Sequence, residues 1–359
     1  MSEYADYPPL FSMRSLKVPL FLVFILVLPL AGCGNALYLS KLAWHQGSIT
    51  YHRIPVQEVL RDEDADSKTK EKIRLIQEVK RFGGERLGLG GTKNYSQFVD
   101  VKGPVLYVVT ASDQDRLQLH TWSFPIVGTV TYKGFFMEEE ALEEERFLKG
   151  KGFDTLVQRV GAFSTLGWLK DPIFSPMLKW DDSILANVIL HEMTHSTVYW
   201  KGQTDFNEQV ATFVGNRGAI DFLIEKYGST SRAVAEAAHF QEDEIVFARW
   251  LDQSCQRLSD YYAREIPRDE KLQGRGEVFR SIQKDFHNLR SQFKTDYYSN
   301  FEKVDLNNAV LLAYRRYMIH LEKCEILYER LGGDTRRVVE YFKTMQTSGD
   351  MAFLRSFLQ

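Results

Sequence analysis

The spacing of apolar residues in the second half of the chain is helical over long stretches. Apolar positions recur every three or four residues, which is the period of an amphipathic helix. The pattern predicts helices over residues 183–200, 207–227, 231–264, 276–293, 307–331 and 335–347. Helix breakers lie between these segments, namely Gly202, Gly228, Pro267 and the pair Gly332 and Gly333. The second half is therefore predicted to be mainly helical.

The first half alternates between helical and extended patterns. Helical spacing covers residues 37–60, 67–82 and 138–148, and β-branched and aromatic residues predict extended segments over residues 105–109, 117–121, 126–132 and 153–166. The predicted fold class is α+β: a small N-terminal mixed sheet with helices (residues 33–182), followed by a helical part (residues 183–359). Since the sequence contains neither a repeat nor a low-complexity linker, residues 33–359 are expected to form one unit.

The first 32 residues have the layout of a secretory signal. Arg14 and Lys17 precede an apolar run over residues 18–30, which is shorter than the roughly 20 residues of a membrane-spanning helix. The small residues before Cys33 resemble a bacterial lipobox, in which the cysteine is lipidated. Residues 1–32 are thus predicted to be a lipoprotein signal peptide. The alternative is an uncleaved N-terminal anchor.

This prediction sets the expected location of the protein. The body would be exported and held to the membrane through a lipid on Cys33, in the cell envelope on the periplasmic side. Gly34 stands where aspartate commonly marks retention in the inner membrane, which favours an outer-membrane address.

Composition and cysteine content narrow the classes of partner and site. A formal net charge of -3 provides no excess of basic residues to neutralise phosphates, so a nucleic-acid partner is not expected. After Cys33 the only cysteines in the sequence are Cys255 and Cys324, which could form a disulfide in an exported protein or remain buried thiols. Their spacing gives no support for a cysteine-ligated zinc.

The chemistry of the chain is concentrated in the segment His191-Glu192-Met193-Thr194-His195. Residues four apart on a helix lie on the same face, so the imidazoles of His191 and His195 can converge on one ion. Glu192 lies beside them as a general base for a metal-activated water. The preceding residues 184–190 are almost entirely apolar, which predicts a buried helix whose polar groups need a partner. A divalent cation, Zn²⁺, satisfies that need.

A catalytic zinc site requires a third protein ligand, for which Glu208 is the best candidate. A turn over residues 201–205 followed by an antiparallel helix would return Glu208 to the two histidines. Glu242 and Glu244 are weaker substitutes, because they lie a whole helix further along. Thr212, one helical turn after Glu208, could support the ligands or be an ordinary helix hydroxyl.

The site resembles that of the gluzincin metallopeptidases, in which the HExxH helix is followed by a helix bearing a zinc-ligand glutamate, often within Asn-Glu-x-x-Ala. Asn207, Glu208 and Ala211 match this pattern. The chain is also similar to a bacterial family of predicted aminopeptidases, many of them lipoproteins. The matching segments are residues 33–54, 81–89, 95–101, 122–136, 161–171, 191–211 and 306–314. The resemblance implies zinc-dependent hydrolysis of a peptide or protein substrate, with Glu192 as the general base.

The remaining expectations concern the surroundings of the metal. Tyr199, placed one turn past His195, and Tyr314 and Asn308, within a family-like segment, are candidates to stabilise the oxyanion; the alternatives are core tyrosines and a helix-capping asparagine. In gluzincins an edge strand pairs with the substrate, and residues 160–166 are placed to do so. The competing functions are an endopeptidase or carboxypeptidase on the same site, and a zinc-binding envelope lipoprotein without turnover.

Overall fold

The computed structural model describes residues 33–124, 128–161, 171–319 and 321–348. The predicted signal peptide, residues 1–32, lies outside the described residues, as do residues 162–166 of the predicted edge strand. Within the described residues, no helix has both the length and the apolar character needed to cross a membrane.

The first half mixes helices with short strands. Its helices are α1 (Cys33–Tyr51), α2 (Val56–Arg61), α3 (Ser67–Glu85) and α4 (Glu138–Gly150). Its strands are β1 (Ile54–Pro55), β2 (Gln97–Val99), β3 (Leu106–Asp113), β4 (Trp122–Phe124), β5 (Gly128–Val130), β6 (Lys133–Phe135), β7 (Phe153–Val160) and β8 (Ile173–Phe174). The 3-10 turn Ser175–Lys179 leads into the second half.

The strands form small sheets of mixed direction. Strands β6, β3 and β7 are antiparallel, with Tyr107 of β3 opposite Phe135 and Arg159. A second sheet has the order β1-β2-β8, in which β2 and β8 run parallel. Strands β4 and β5 form a separate hairpin.

The second half is helical. It consists of α5 (Asp182–His195), α6 (Thr204–Tyr227), α7 (Arg232–Tyr262), α8 (Arg268–Leu289), α9 (Asn308–Met318), α10 (Leu321–Arg330) and α11 (Thr335–Ser348). The predicted α+β class, with a mixed first half and a helical second half, is confirmed.

Several predicted element bounds are wrong. Residues 117–121 are not a strand but a loop that touches β3 through a single bridge at Leu119. Residues 37–60 are two helices interrupted at Pro55, whose ring removes a backbone donor. The helix predicted over 307–331 is divided after Met318, and the one predicted over 183–200 ends at His195.

The two cysteines of the helical half do not pair. Both are free and buried, Cys255 in the core between α7, α8 and α9 and Cys324 in the larger core around α5 and α6. Of the two alternatives left open by the sequence, the structure therefore has buried thiols.

Candidate metal centre

Helix α5 is held rigidly because one face is fully buried in the main core. Leu185, Ile189, Leu190 and Met193 are at most 1% exposed. Burial of each such side chain contributes roughly 1.5–3 kcal/mol to folding. With this face fixed inward, His191 and His195 lie one turn apart on the side that faces α6.

Small residues allow α6 to pack unusually close to α5. A Cβ atom added at Gly215 would lie 3.0 Å from the carbonyl oxygen of Asn187 and 3.2 Å from Cβ of His191. At Gly218 it would lie 2.9 Å from Cδ1 of Leu190. Neither contact leaves room for a side chain, so glycine at these positions sets the separation of the two helices.

Side-chain hydrogen bonds hold α5, and the segment that follows it, to α6 at both ends of the helix pair. The Asn207 side chain accepts a hydrogen bond from Trp200 N and donates one to Trp200 O, both at 2.8 Å. At the far end, the Tyr227 hydroxyl donates to the Asp182 carboxylate at 2.6 Å. These contacts orient the first turn of α6 and bring Glu208 over the two histidines.

The three predicted ligands come together in the structure. The Nε2 atoms of His191 and His195 are 3.1 Å apart, and they lie 3.4 and 3.6 Å from the two carboxylate oxygens of Glu208. The side chains are 15%, 7% and 17% exposed, in the order His191, His195, Glu208. Within the described part of the chain, this is the cluster of histidine, cysteine and acidic residues that could hold a metal ion.

The charges of the cluster are mutually stabilising. Burial raises the pKa of Glu208, but hydrogen bonds from His191 and His195 outweigh it and hold that pKa well below its usual range. Burial lowers the pKa of His191, and the Glu208 carboxylate reverses this and raises it overall. The site is thus built around an ionised carboxylate, the form that binds a cation.

Two buried polar atoms beside the cluster find no hydrogen-bond partner among the described residues. They are Oε2 of Glu192 and Nδ1 of His195. Buried polar atoms in folded proteins are rarely left unsatisfied, so such atoms mark a place where water or a ligand is expected. Burial raises the pKa of the Tyr95 hydroxyl, and the charge of Glu192 raises it further.

Three residues that the sequence analysis did not select lie where α9 and the turn between β5 and β6 meet the start of α6, with Arg316 Nε 3.9 Å from Asp205. Tyr132, in the turn between β5 and β6, and Tyr317, on α9, are 39% and 40% exposed. Burial raises the pKa of each hydroxyl, and the negative charge of Glu208 raises both pKa values further. Arg316 is buried between them: its Nη2 donates to Thr131 at 2.6 Å and its guanidinium lies over the Tyr132 ring.

The auxiliary residues predicted from sequence are distributed differently. Tyr199 lies beyond the end of α5, not on its face. Tyr314 packs its ring against Phe247 and Phe301 in the helical core.

Asn308 is fully buried at a joint between the sheet and the helices. Its side chain donates to the carbonyl of Asp113 at 2.8 Å and accepts from the Tyr262 hydroxyl at 3.0 Å. Its backbone N–H donates to Asp154. It is not the helix cap, which is Asn307.

The alternative ligands and the supporting threonine are accounted for separately. Glu242 pairs with Lys294 at the surface, and Glu244 accepts a hydrogen bond from Asn216 inside the protein. Neither joins the cluster of His191, His195 and Glu208. Thr212 is buried on α6, and nothing in the structure ties its hydroxyl to the ligands.

Comparison with known proteins gives one result. No curated protein and no solved structure matches the chain. A family model does match, over residues 37–352, which include both halves and every residue of the cluster. The chain therefore belongs to the family described as "Putative aminopeptidase".

Proposed function

We propose that the chain is a zinc-dependent peptidase in which His191, His195 and Glu208 hold the metal. The observation that carries this proposal is the spacing of the ligand atoms: the two Nε2 atoms are 3.1 Å apart, and each lies 3.4 or 3.6 Å from one oxygen of the Glu208 carboxylate. A tetrahedral zinc ion with bonds of about 2.0–2.1 Å separates its ligand atoms by about 3.3 Å. Two imidazoles and one carboxylate are also a donor set of catalytic zinc sites, which leave one position for water.

Zinc bound there supplies Lewis acidity, which makes a water more acidic and polarises the substrate carbonyl. Glu192 accepts the proton of the attacking water, because its buried Oε2 has no competing partner among the described residues. The same carboxyl group then donates this proton to the leaving amine. A structural zinc site would have no use for such a carboxylate beside its ligands.

The hydroxyls of Tyr132 and Tyr317 donate hydrogen bonds to the oxygen that becomes negative during attack. Their location where the turn before β6 and α9 meet the start of α6, and the influence of Glu208 on both, support this role. Arg316 acts through Tyr132, whose ring it supports, and is a positioning residue. Tyr199 remains a further candidate, whereas the contacts of Tyr314 and Asn308 are those of core residues.

Membership of the family supports peptide hydrolysis, and the family description supports release of amino-terminal residues. Strand β7 lies at the edge of its described sheet, which is consistent with residues 160–166 pairing with an extended substrate. An endopeptidase or carboxypeptidase would use the same metal chemistry.

The location of the enzyme is part of the proposal. The basic residues Arg14 and Lys17, the apolar run over residues 18–30 and the small residues before Cys33 support export and lipidation of Cys33. Peptide hydrolysis would then take place in the cell envelope, on the periplasmic side, with the body held to a membrane.

The test compares wild type with Glu192→Gln on peptides with free and with blocked amino termini. The variant keeps the shape and both ligand helices but removes the base, so turnover should fall by about 10²–10⁴-fold with zinc content unchanged. Cleavage confined to free-amine peptides would identify an aminopeptidase. Equal turnover in both proteins would contradict the role of Glu192, and stoichiometric zinc without cleavage by wild type would indicate a binding protein.

A further inference from the structure

The outward face of α1 carries large apolar side chains at regular intervals. Leu37, Trp44 and Tyr51 are spaced by seven residues, or two helical turns, and therefore form one stripe along the helix. They are 60%, 77% and 85% exposed. The outward face of a surface helix is normally polar, so this α1 stripe indicates a contact surface.

A neighbouring face of α1, about 100° round the helix from the stripe, is fixed to the protein, which determines where the stripe points. The Tyr38 ring packs 5.5 Å from the rings of Phe124 and Phe135, and its hydroxyl donates to Gly134 O at 2.8 Å. His45 stacks on Phe136 with ring centroids 5.0 Å apart. Both faces of α1 are thus apolar, and the packed inner face prevents the stripe from turning inward.

The chain preceding α1 indicates what covers the stripe. Residues 14–32 have the layout of a lipoprotein signal that ends at Cys33, where α1 begins, so the proposed lipid on Cys33 would place the start of α1 at a membrane. Between residues 33 and 51 the sequence contains Lys41 and no acidic residue, so an anionic lipid surface would not repel this helix. Tryptophan and tyrosine are the side chains that favour the boundary between lipid headgroups and acyl chains.

We propose that the α1 stripe lies in the headgroup region of the bilayer, with α1 resting along the membrane surface that holds Cys33. This inference goes beyond peptide hydrolysis and rests on the membrane anchor proposed above. Strand β6 packs beneath α1 through Phe135, and Tyr132, which directly precedes β6, lies under the guanidinium of Arg316, whose Nε is 3.9 Å from Asp205 in the first turn of α6. Docking of α1 would therefore fix the orientation of the metal centre relative to the bilayer.

The test uses the fluorescence of the full chain reconstituted into phosphatidylethanolamine and phosphatidylglycerol vesicles with brominated acyl chains. Bromine quenches only tryptophans that reach the bilayer, and none of the six tryptophans precedes Trp44. Wild type should be quenched, and Trp44→Phe should lose that quenched component. Trp250→Phe, which changes a core tryptophan that is 5% exposed, is the matched control and should retain it.

The other outcomes are equally informative. Equal quenching in wild type and Trp44→Phe, or vesicle flotation without quenching, would overturn docking of the stripe and leave the anchor standing. Failure to float would overturn both. If Trp44 became less accessible to solvent as the protein concentration rose in detergent, the stripe would be covered by a second copy of the chain and not by the bilayer. Peptide hydrolysis by the same samples reports independently on the metal centre.

Discussion

The ligand cluster illustrates how single residues combine into one site. His191 and His195 obtain their spacing from the helical repeat, and Glu208 obtains its position from a neighbouring helix. Glu192 is next to a ligand in sequence and yet points to a place where its Oε2 has no partner among the described residues. The three residues proposed to hold the metal and the one proposed to move a proton are therefore distinguished by their geometry.

The buried carboxyl group of Glu244, on α7, has a raised pKa, in contrast to that of Glu208. Glu244 is 7% exposed and accepts a hydrogen bond from Asn216, which in turn accepts one from Asn187. Burial raises the pKa of Glu244 to about 8, although the Asn216 contact opposes the shift. This chain of side chains links α5, α6 and α7 behind the metal centre.

Because the pKa of Glu244 is raised on folding, the folded protein binds more protons than the unfolded chain between about pH 4.5 and 8. Stability should therefore fall as pH rises through this window, by up to about 1.4 kcal/mol per pH unit. Glu244→Gln keeps the hydrogen-bond acceptor and removes this dependence. In urea denaturation, the free energy of unfolding of Glu244→Gln relative to that of wild type should rise by about 2 kcal/mol from pH 6 to pH 8.

The relevant comparison is the change between the two pH values, since other groups titrate in both proteins. A constant difference between Glu244→Gln and wild type at pH 6 and pH 8 would show that Glu244 is ionised in the folded protein throughout.

At the scale of elements, the α5–α6 pair decides whether the site exists. Helical periodicity predicted both helices and the turn that returns Glu208, because the repeat of an α-helix fixes which residues share a face. It could not predict where α5 ends. The chain leaves the helix after His195, and the Asn207 side chain binds the backbone of Trp200 in this non-helical segment. Tyr199 therefore lies off the predicted face.

Close packing of this pair leads to a prediction for Gly215→Ala. The added methyl group would lie 3.0 Å from a backbone oxygen of α5, which cannot move without shifting the helix. We expect a loss of about 1–3 kcal/mol in unfolding free energy and weaker zinc binding, because α6 carries Glu208 away from the histidines. Chemical denaturation and zinc titration measure the two effects.

Gly276→Ala in α8 is the control for helix propensity. The nearest atom to its new methyl group is the flexible Arg280 side chain at 3.7 Å, so stability should rise by up to about 1 kcal/mol with zinc binding unchanged. If Gly215→Ala behaved in the same way, close approach of the two helices would not be what positions Glu208.

At the scale of the whole molecule, the site combines parts that are distant in sequence. Tyr132 comes from a turn between short strands, and Arg316 and Tyr317 come from a helix more than a hundred residues after His195. No local pattern marks such residues, because they meet only when the sheet packs against α9. The fold class and the clustering of His191, His195 and Glu208 could be predicted from periodicity and motif. These contacts, the joint at Asn308 and the short loop over residues 117–121 could not.

The position of the cluster in the main core explains why a bound metal should increase the free energy of unfolding. The proposed ligands lie on two helices that form the centre of the main core, and an ion bound only by the folded state stabilises it more the more tightly it binds. Removal of zinc by a chelator should accordingly lower the Tm of wild type.

The most direct measurement is the zinc content of purified wild type, Glu208→Ala and Glu242→Ala by elemental mass spectrometry. Glu242 is a surface glutamate paired with Lys294 and serves as the control. Wild type and Glu242→Ala should each carry about one zinc per chain, and Glu208→Ala should lose the metal on dialysis, since two imidazoles alone bind it weakly. Equal zinc in all three proteins would contradict the assignment of Glu208 as a ligand.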